Sequence, residues 1–233
     1  MKFLGYLVCC VLLFSCGNSS QEENTKHSEV SLNPSAFFYP ICDSTRIYVY
    51  RDLINGLNEE FHRVYKVVDS KGPHLIVERY ASDGRLLEAF NYNIDSLDLI
   101  DHITVNAKQE KEQAILFKNR LFPMTLSEEA CFASKFRGVN DSMVILKEIT
   151  RKFSSNSTIE FNNKPIETLV FKDFIRMTNM NIYKRKEEEI TGVQVVYFSK
   201  GIGLTEWHSP SKSVHFKLEK ILSQEQWVQL IKK

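Results

Sequence analysis

Apolar and polar side chains alternate with a period of two along most of this chain, in stretches dense in Val, Ile, Tyr and Phe. That is the period of a strand with one buried face. The stretches 47–50, 61–68, 75–81, 86–94, 100–106, 143–153, 168–177, 193–198, 204–208 and 214–221 are candidate strands. Strands this closely spaced, with little helical pattern between them, predict an antiparallel meander and not a parallel crossover fold. The expected fold class is mainly β: a large curved antiparallel sheet, half-barrel or open barrel, with a short C-terminal helix.

Two hairpins can be registered from chemistry. Asp83-Gly84 is a favoured two-residue turn. It would pair Ser82 with Arg85, Ala81 with Leu86, Arg79 with Glu88 and Val77 with Phe90. A turn centred on Ser211-Lys212 would set Trp207 against Phe216, Thr205 against Leu218, Glu206 against Lys217 and His208 against His215. One face of that second hairpin is then apolar and the other carries a matched charge pair, which a one-residue slip would scramble.

Helical spacing appears once with conviction, over Ser223 to Ile231. Thr125 and Glu128 have the spacing of a capping box before Cys131-Phe132-Ala133, but Val139 to Ser142 reads as a turn into Met143, which favours strand there. The run from Lys184 to Glu189 reads as a solvated strand end or loop. In Tyr197-Phe198-Ser199-Lys200-Gly201-Ile202-Gly203-Leu204, the two glycines suit positive φ or a bulge where a side chain would clash. This element resembles one near the end of many uncharacterised envelope lipoproteins, where two strands of a curved sheet meet at a tight bend. The resemblance implies a fold and transfers no catalytic residue. A dinucleotide site at Gly201-Ile202-Gly203 is a poor reading, because the third glycine is missing and a strand follows.

The front of the chain follows another pattern. Lys2 precedes an apolar run from Phe3 to Phe14, broken by Gly5 and ending Leu13-Phe14-Ser15-Cys16. A charged start, a short apolar run and a small residue before the cut make a secretory signal. Its last four residues resemble the lipobox of bacterial lipoproteins. The resemblance implies removal of residues 1–15, diacylglycerol on the Cys16 thiol and a fatty acyl group, such as palmitate, on the new amine. No other cofactor is expected. Gly17 stands where Asp would favour inner-membrane retention, so the outer membrane is implied, and Glu22-Glu23 looks like a short acidic surface tag. The face, periplasmic or cell-surface, stays open. Residues 16–33 hold almost no apolar side chain before Val30 and read as a flexible tether. Residues 34–233 then form a single β-rich domain, and acyl chains alone would hold it on the bilayer.

Loss of residues 1–15 takes one Lys from 30 basic residues and leaves 29 against 29 acidic. Balanced charge argues against nucleic acid and against electrostatic attachment to anionic lipid. Cys42 and Cys131 outlast processing, and could form one disulfide or serve as two buried small residues. The chain lacks a His-Glu-x-x-His helix, a Gly-Lys-Ser/Thr phosphate loop, a Gly-x-Ser-x-Gly elbow and a Cys-x-x-Cys pair after the signal. Cys131 with a distant His is the remaining nucleophile pattern, and its apolar neighbourhood points to burial. No metal site is expected. The weak candidates for one are His208 and His215 as cross-strand neighbours, with Glu206 as a third ligand.

Phe37-Phe38-Tyr39-Pro40 and the tyrosines of the early strands either fill the core or line a concave face able to hold an acyl chain or peptide, as in the sheets of lipoprotein carriers, which the chain resembles in architecture only. The leading expectation is a non-enzymatic, membrane-anchored lipoprotein that binds a protein or polymer of the envelope. The alternatives are a lipid-handling half-barrel and an unrecognised hydrolase.

Overall fold

A computed structural model of the chain describes residues 33–231, except 57, 71, 107 and 139–141, and leaves the side chain of 231 undescribed. Thirteen strands form one antiparallel sheet: β1 Arg46–Asp52, β2 Glu59–Asp69, β3 Gly72–Ala81, β4 Leu86–Asn93, β5 Leu99–Val105, β6 Lys111–Gln113, β7 Ile115–Asn119, β8 Ala130–Arg137, β9 Met143–Phe161, β10 Lys164–Asn181, β11 Lys186–Ser199, β12 Gly203–His208 and β13 His215–Ser223. Helix α1, Gln224–Ile231, follows. The sheet order is β6-β5-β4-β3-β2-β1-β13-β12-β11-β10-β9-β8-β7, so every neighbour is a chain neighbour except β1 and β13, which pair with each other. The sheet curls until it nearly closes into a barrel.

The seam of that barrel therefore falls mid-chain, between β6 and β7. Both are parts of one kinked stretch: up to Gln113 it pairs with β5, and beyond Ala114 it pairs with β8. Ala114 donates its N–H to the His102 carbonyl at 2.8 Å, and an Asp98–Arg120 bridge ties the far end. Closing a seam this way removes most of the exposed edge that an open sheet would present.

Alternation sorts the side chains as the period of two requires. Tyr48, Tyr50, Leu75, Val77, Phe90, Phe132, Phe171 and Phe198 point into the lumen and form the main core. On the outside, α1 lays Trp227 over Ile47, Val49 and Phe61. Ser223 caps this helix reciprocally with Gln226: Gln226 N donates to Ser223 Oγ at 3.3 Å, and Ser223 N to Gln226 Oε1 at 2.8 Å.

The lumen is stoppered by the chain itself. Residues Pro34–Phe37 make one 3-10 turn, capped by Asn33, and Phe37, Phe38 and Tyr39 are each buried to 6 % exposure or less. The Phe38 ring meets Tyr39, Tyr92, Phe122 and Phe198 at centroid distances of 5.0–6.5 Å. Gly201 and Gly203 hold this stopper in place. Both have positive φ, 70° and 103°, and Gly201 N donates to the Ala36 carbonyl at 2.9 Å. A Cβ on Gly203 would lie 2.6 Å from Tyr39 Cδ1, so glycine is needed there for close approach as well as for backbone conformation.

The second hairpin has the expected register at Glu206–Lys217, Trp207–Phe216 and His208–His215. The expected Thr205–Leu218 pair does not form: Thr205 Oγ1 donates to the Tyr197 carbonyl and Leu218 pairs with Tyr50 of β1. In the first hairpin Arg79–Glu88 and Val77–Phe90 pair as expected, but Leu86 sits opposite Tyr80 and not Ala81. The turn is four residues, closed by Gly84 N to Ala81 O at 2.9 Å with Gly84 at φ 79°, and a bulge at Leu87 absorbs the extra residue.

The strands also run beyond their expected ends. Ser155 to Phe161 and Lys186 to Gly192 are mostly polar yet paired throughout, and Ser154 is skipped in the β9–β10 register as a bulge. The β9–β10 turn, Asn162-Asn163, has φ 52° and 60°, a type I′ pattern that asparagine tolerates.

Candidate functional site

The alternation that fills the lumen with aromatic rings also places charged and imidazole side chains inside it, among them Glu60 and His62 on β2, Arg79 on β3, Glu88 on β4, His102 on β5, Lys147 and Arg151 on β9, and Asp173 on β10. Most of them form one hydrogen-bonded chain. Tyr39 Oη lies 2.9 Å from His62 Nδ1, and His62 Nε2 lies 2.7 Å from Glu60 Oε1. Arg79 Nε donates to Glu60 at 2.6 Å while its Nη1 donates to Glu88. Glu88 Oε2 also meets His102 Nε2 at 3.2 Å and Lys147 Nζ at 3.1 Å, and His102 Nδ1 lies 3.0 Å from Ser134 Oγ. The Lys147 and Ser134 contacts cross from β4 and β5 to β9 and β8, so they stitch the two sides of the seam together.

Protonation states follow from the surroundings. Burial pushes the His62 imidazole below its ordinary value, outweighing the pull of Glu60, so the ring is neutral. Its Nε2 then carries the proton toward the carboxylate, and Nδ1 accepts from Tyr39. Burial would raise the Glu60 carboxyl, but Arg79 and the His62 hydrogen bond overcome it and hold the group at about 2. Glu88 is likewise carried well below the carboxylate range, its burial outweighed by Lys147 and Arg79.

A second pair stands beside the first network. Arg151 binds Asp173 through Nε and Nη2, both at 2.8 Å, with its guanidinium 4.9 Å from the centre of the Phe198 ring. Asp173 raises the Arg151 pKa against the opposing effect of burial. Between the two networks lies a cavity of about 160 Å³, lined by Arg79, Glu88, Lys147, Arg151, Asp173 and Gln194 over the rings of Phe38, Phe90, Tyr92 and Phe198.

Ser134, His102 and Glu88 have the connectivity of a nucleophile, base and acid. Both Ser134 and His102 are 0 % exposed, and neither lines the cavity. Glu88 is meanwhile shared with Arg79 and Lys147. The three act in this geometry as a structural tie across the seam.

The residues singled out from sequence lie elsewhere. Cys16 and the lipobox fall outside the described residues, as does the tether up to residue 32. Cys42 and Cys131 are half-buried free thiols; Cys42 precedes β1 and Cys131 lies on β8, with five strands between β1 and β8 in the sheet order. His208 and His215 are cross-strand neighbours with ring centroids 5.3 Å apart. Three of their four ring nitrogens are engaged: His215 Nε2 with Glu206 at 2.8 Å, and His208 with the Ser209 carbonyl at 2.9 Å and Tyr197 Oη at 3.3 Å. Among the described residues no three His, Cys, Asp or Glu groups are arranged to hold a metal ion.

Sequence reasoning missed the lumenal charges, although one signal was present. Arg79–Glu88 and Val77–Phe90 are two residues apart on both strands, so that charge pair shares a face with the core.

No family model matches the chain, and no curated protein matches it. One solved structure that resembles it is the crystal structure of a "putative lipoprotein" from Parabacteroides distasonis ATCC 8503, with a TM-score of 0.49 and 14% identity over 80% of this chain and 98% of that one.

Proposed function

We propose that this protein is a membrane-anchored envelope lipoprotein whose β-domain works without catalysis, by binding another component of the envelope through its exterior. The observation that carries the reading is the filled lumen. Phe37, Phe38, Tyr39 and Phe122 occupy the interior that a lipid carrier would keep open, and a pocket of about 160 Å³ beside them is bordered by charges. A cavity of about 150 Å³ accommodates a benzene ring, far less than an acyl chain. The lipobox at Leu13 to Cys16 supplies the anchor, in the outer membrane on the strength of Gly17. No described helix is long and apolar enough to cross a membrane.

What the domain offers a partner is a shallow outer groove of about 630 Å³ across β9, β10 and β11, lined by Glu148, Thr150, Phe174, Arg176 and Thr191, with Lys118 of β7 at its edge. Phe174 in its floor is 43% exposed. Photo-crosslinking in the native envelope tests this, with the reactive residue placed at Phe174 or, as a control, at Tyr183 on the β10–β11 turn. A discrete adduct from 174 and none from 183 is expected. Native mass spectrometry showing a co-purified lipid inside the domain would overturn the reading.

A further inference from the structure

The strands of this sheet differ in length, and the long ones outrun their neighbours. β11 pairs with β10 along its whole length, but β12 joins it only from the Val195–His208 pair onward. From Lys186 to Gln194 the other edge of β11 carries no strand among the described residues. At about 3.4 Å per residue that edge is about 30 Å long, and every second residue turns its N–H and C=O out from it. β9 is bare in the same way beyond its Arg151 pair with Ala130, but the bulge at Ser154 interrupts it. No bulge or proline interrupts β11. Of the usual devices that keep strands off an edge, charge is the one present here.

Two features give this edge a chemistry. A pocket of about 180 Å³ opens beside it, walled by Ile175, Met177, Ile190 and Val214. Ile190 is 50% exposed and Val214 43%. Gly192 and Ile190 share a face with Ile175 and Met177, their partners on β10. A Cβ on Gly192 would meet nothing within 4 Å, so the glycine leaves a notch in the edge. Nearer the hairpin tip, Glu187, Glu188 and Glu189 are exposed and make no ion pair among the described residues. Their partners on β10, Met180, Asn179 and Thr178, are uncharged. Lys186 is the one cation on the edge, while Lys184 and Arg185 stand on the turn beyond the ladder.

We propose that an extended segment of the envelope partner adds to this edge as a further antiparallel strand. Opposite Gly192 it carries a bulky aliphatic side chain that enters the pocket, and opposite Ile190 a second aliphatic one. Lys or Arg then follows opposite each of Glu189, Glu188 and Glu187. Main-chain hydrogen bonds supply affinity in this mode of recognition, and the pocket and the glutamates supply specificity. The inference rests on the reading that the domain binds through its exterior, and it names the partner's chemistry: the outer groove shares Ile175, Thr191, Gly192 and Val193 with this pocket.

The probe is a fluorescein-labelled peptide, Thr-Ile-Thr-Val-Lys-Arg-Lys, titrated into the full-length chain in detergent micelles. One companion peptide has Glu-Asp-Glu in place of Lys-Arg-Lys. Another is N-methylated at alternate residues, which blocks strand pairing and keeps the charge. Gly192→Leu fills the notch, the combined Glu187→Lys, Glu188→Lys and Glu189→Lys chain reverses the charge, and Glu160→Lys on the β9 edge is the control. Saturable binding of the basic peptide is expected, unchanged by Glu160→Lys and at least about tenfold weaker for both companion peptides and both β11 variants. The proposal is overturned if the folded wild-type chain shows no saturable binding up to about 1 mM peptide, or if the N-methylated peptide binds as well. Equal loss in Glu160→Lys and the β11 charge variant overturns it too. An adduct from position 174 in the native envelope together with no peptide binding overturns strand addition alone and leaves the groove in place.

Discussion

Replacing Gly203 with Ala isolates the contact between the stopper and the barrel wall. The new Cβ would stand 2.6 Å from Tyr39 Cδ1, 3.0 Å from Cγ and 3.1 Å from the Tyr39 Cα, at a φ of +103°. The backbone conformation alone costs an L side chain about 1–3 kcal/mol. The clash cannot be relieved by a rotamer change, because one of the three atoms is backbone, so Tyr39 must move. That loosens a ring of 6 % exposure and its hydrogen bond to His62. Losing a buried aromatic outright costs about 3–5 kcal/mol, and a partial shift forfeits some of that. The expected total is about 2–6 kcal/mol, a large share of the stability of an ordinary domain. Gly201→Ala is the control, since its φ is +70° but nothing lies within 4 Å, and only the left-handed strain of about 1–2 kcal/mol applies. Urea unfolding followed by tryptophan fluorescence would measure both, Trp207 lying 4.7 Å from the Tyr50 ring, centroid to centroid. Adding Tyr39→Ala to Gly203→Ala should cost less than the two changes summed. If Gly203→Ala is no more destabilising than Gly201→Ala, the stopper does not bear on Gly203 and the reasoning fails.

The His62 ring is held neutral in the fold, and its unfolded value is about 6.5, so its contribution to stability is complete above that pH and is lost as pH falls toward the depressed folded value. Thermal melting should therefore weaken on acidification from pH 7, and His62→Gln should flatten the first part of that decline; a second decline below the unfolded carboxyl value of 4.5, from Glu60 and Glu88, should remain. Arg151→Met leaves Asp173 buried and unpaired and should cost about 3–5 kcal/mol in denaturant, whereas Arg151→Met with Asp173→Leu should recover most of it; equal loss in both would show that the pair is not an isolated unit.

Much of the fold was legible because a single buried face imposes a period of two, and Val, Ile, Tyr and Phe mark it from Ile47 to Ile221. The Glu206–Lys217 register was legible because charge and apolar matching agreed at once. Ser155 to Thr158 was not, since a paired but exposed strand needs no apolar face, and the Asn162-Asn163 turn that follows was the signal left unused. Nor was Lys111 to Asn119, where three- and five-residue strands split at Ala114 are too short to show a period. The lumenal charges were hidden for a different reason: Glu60, Arg79, Lys147 and Asp173 look solvated individually, and only their mutual pairing lets them be buried. Closure of the barrel also depends on partners far apart in sequence, such as His102 with Ser134, which local pattern does not encode.

Anchoring through Cys16 is the claim on which the envelope role stands. Metabolic labelling with an alkyne palmitate, followed by membrane fractionation, measures it in one experiment. The wild-type chain should be labelled, processed before Cys16 and recovered with the outer membrane, and Cys16→Ala should be unlabelled and either unprocessed or soluble. A Cys16→Ala chain that is still cleaved before residue 16 and still sediments with the membrane would contradict the account.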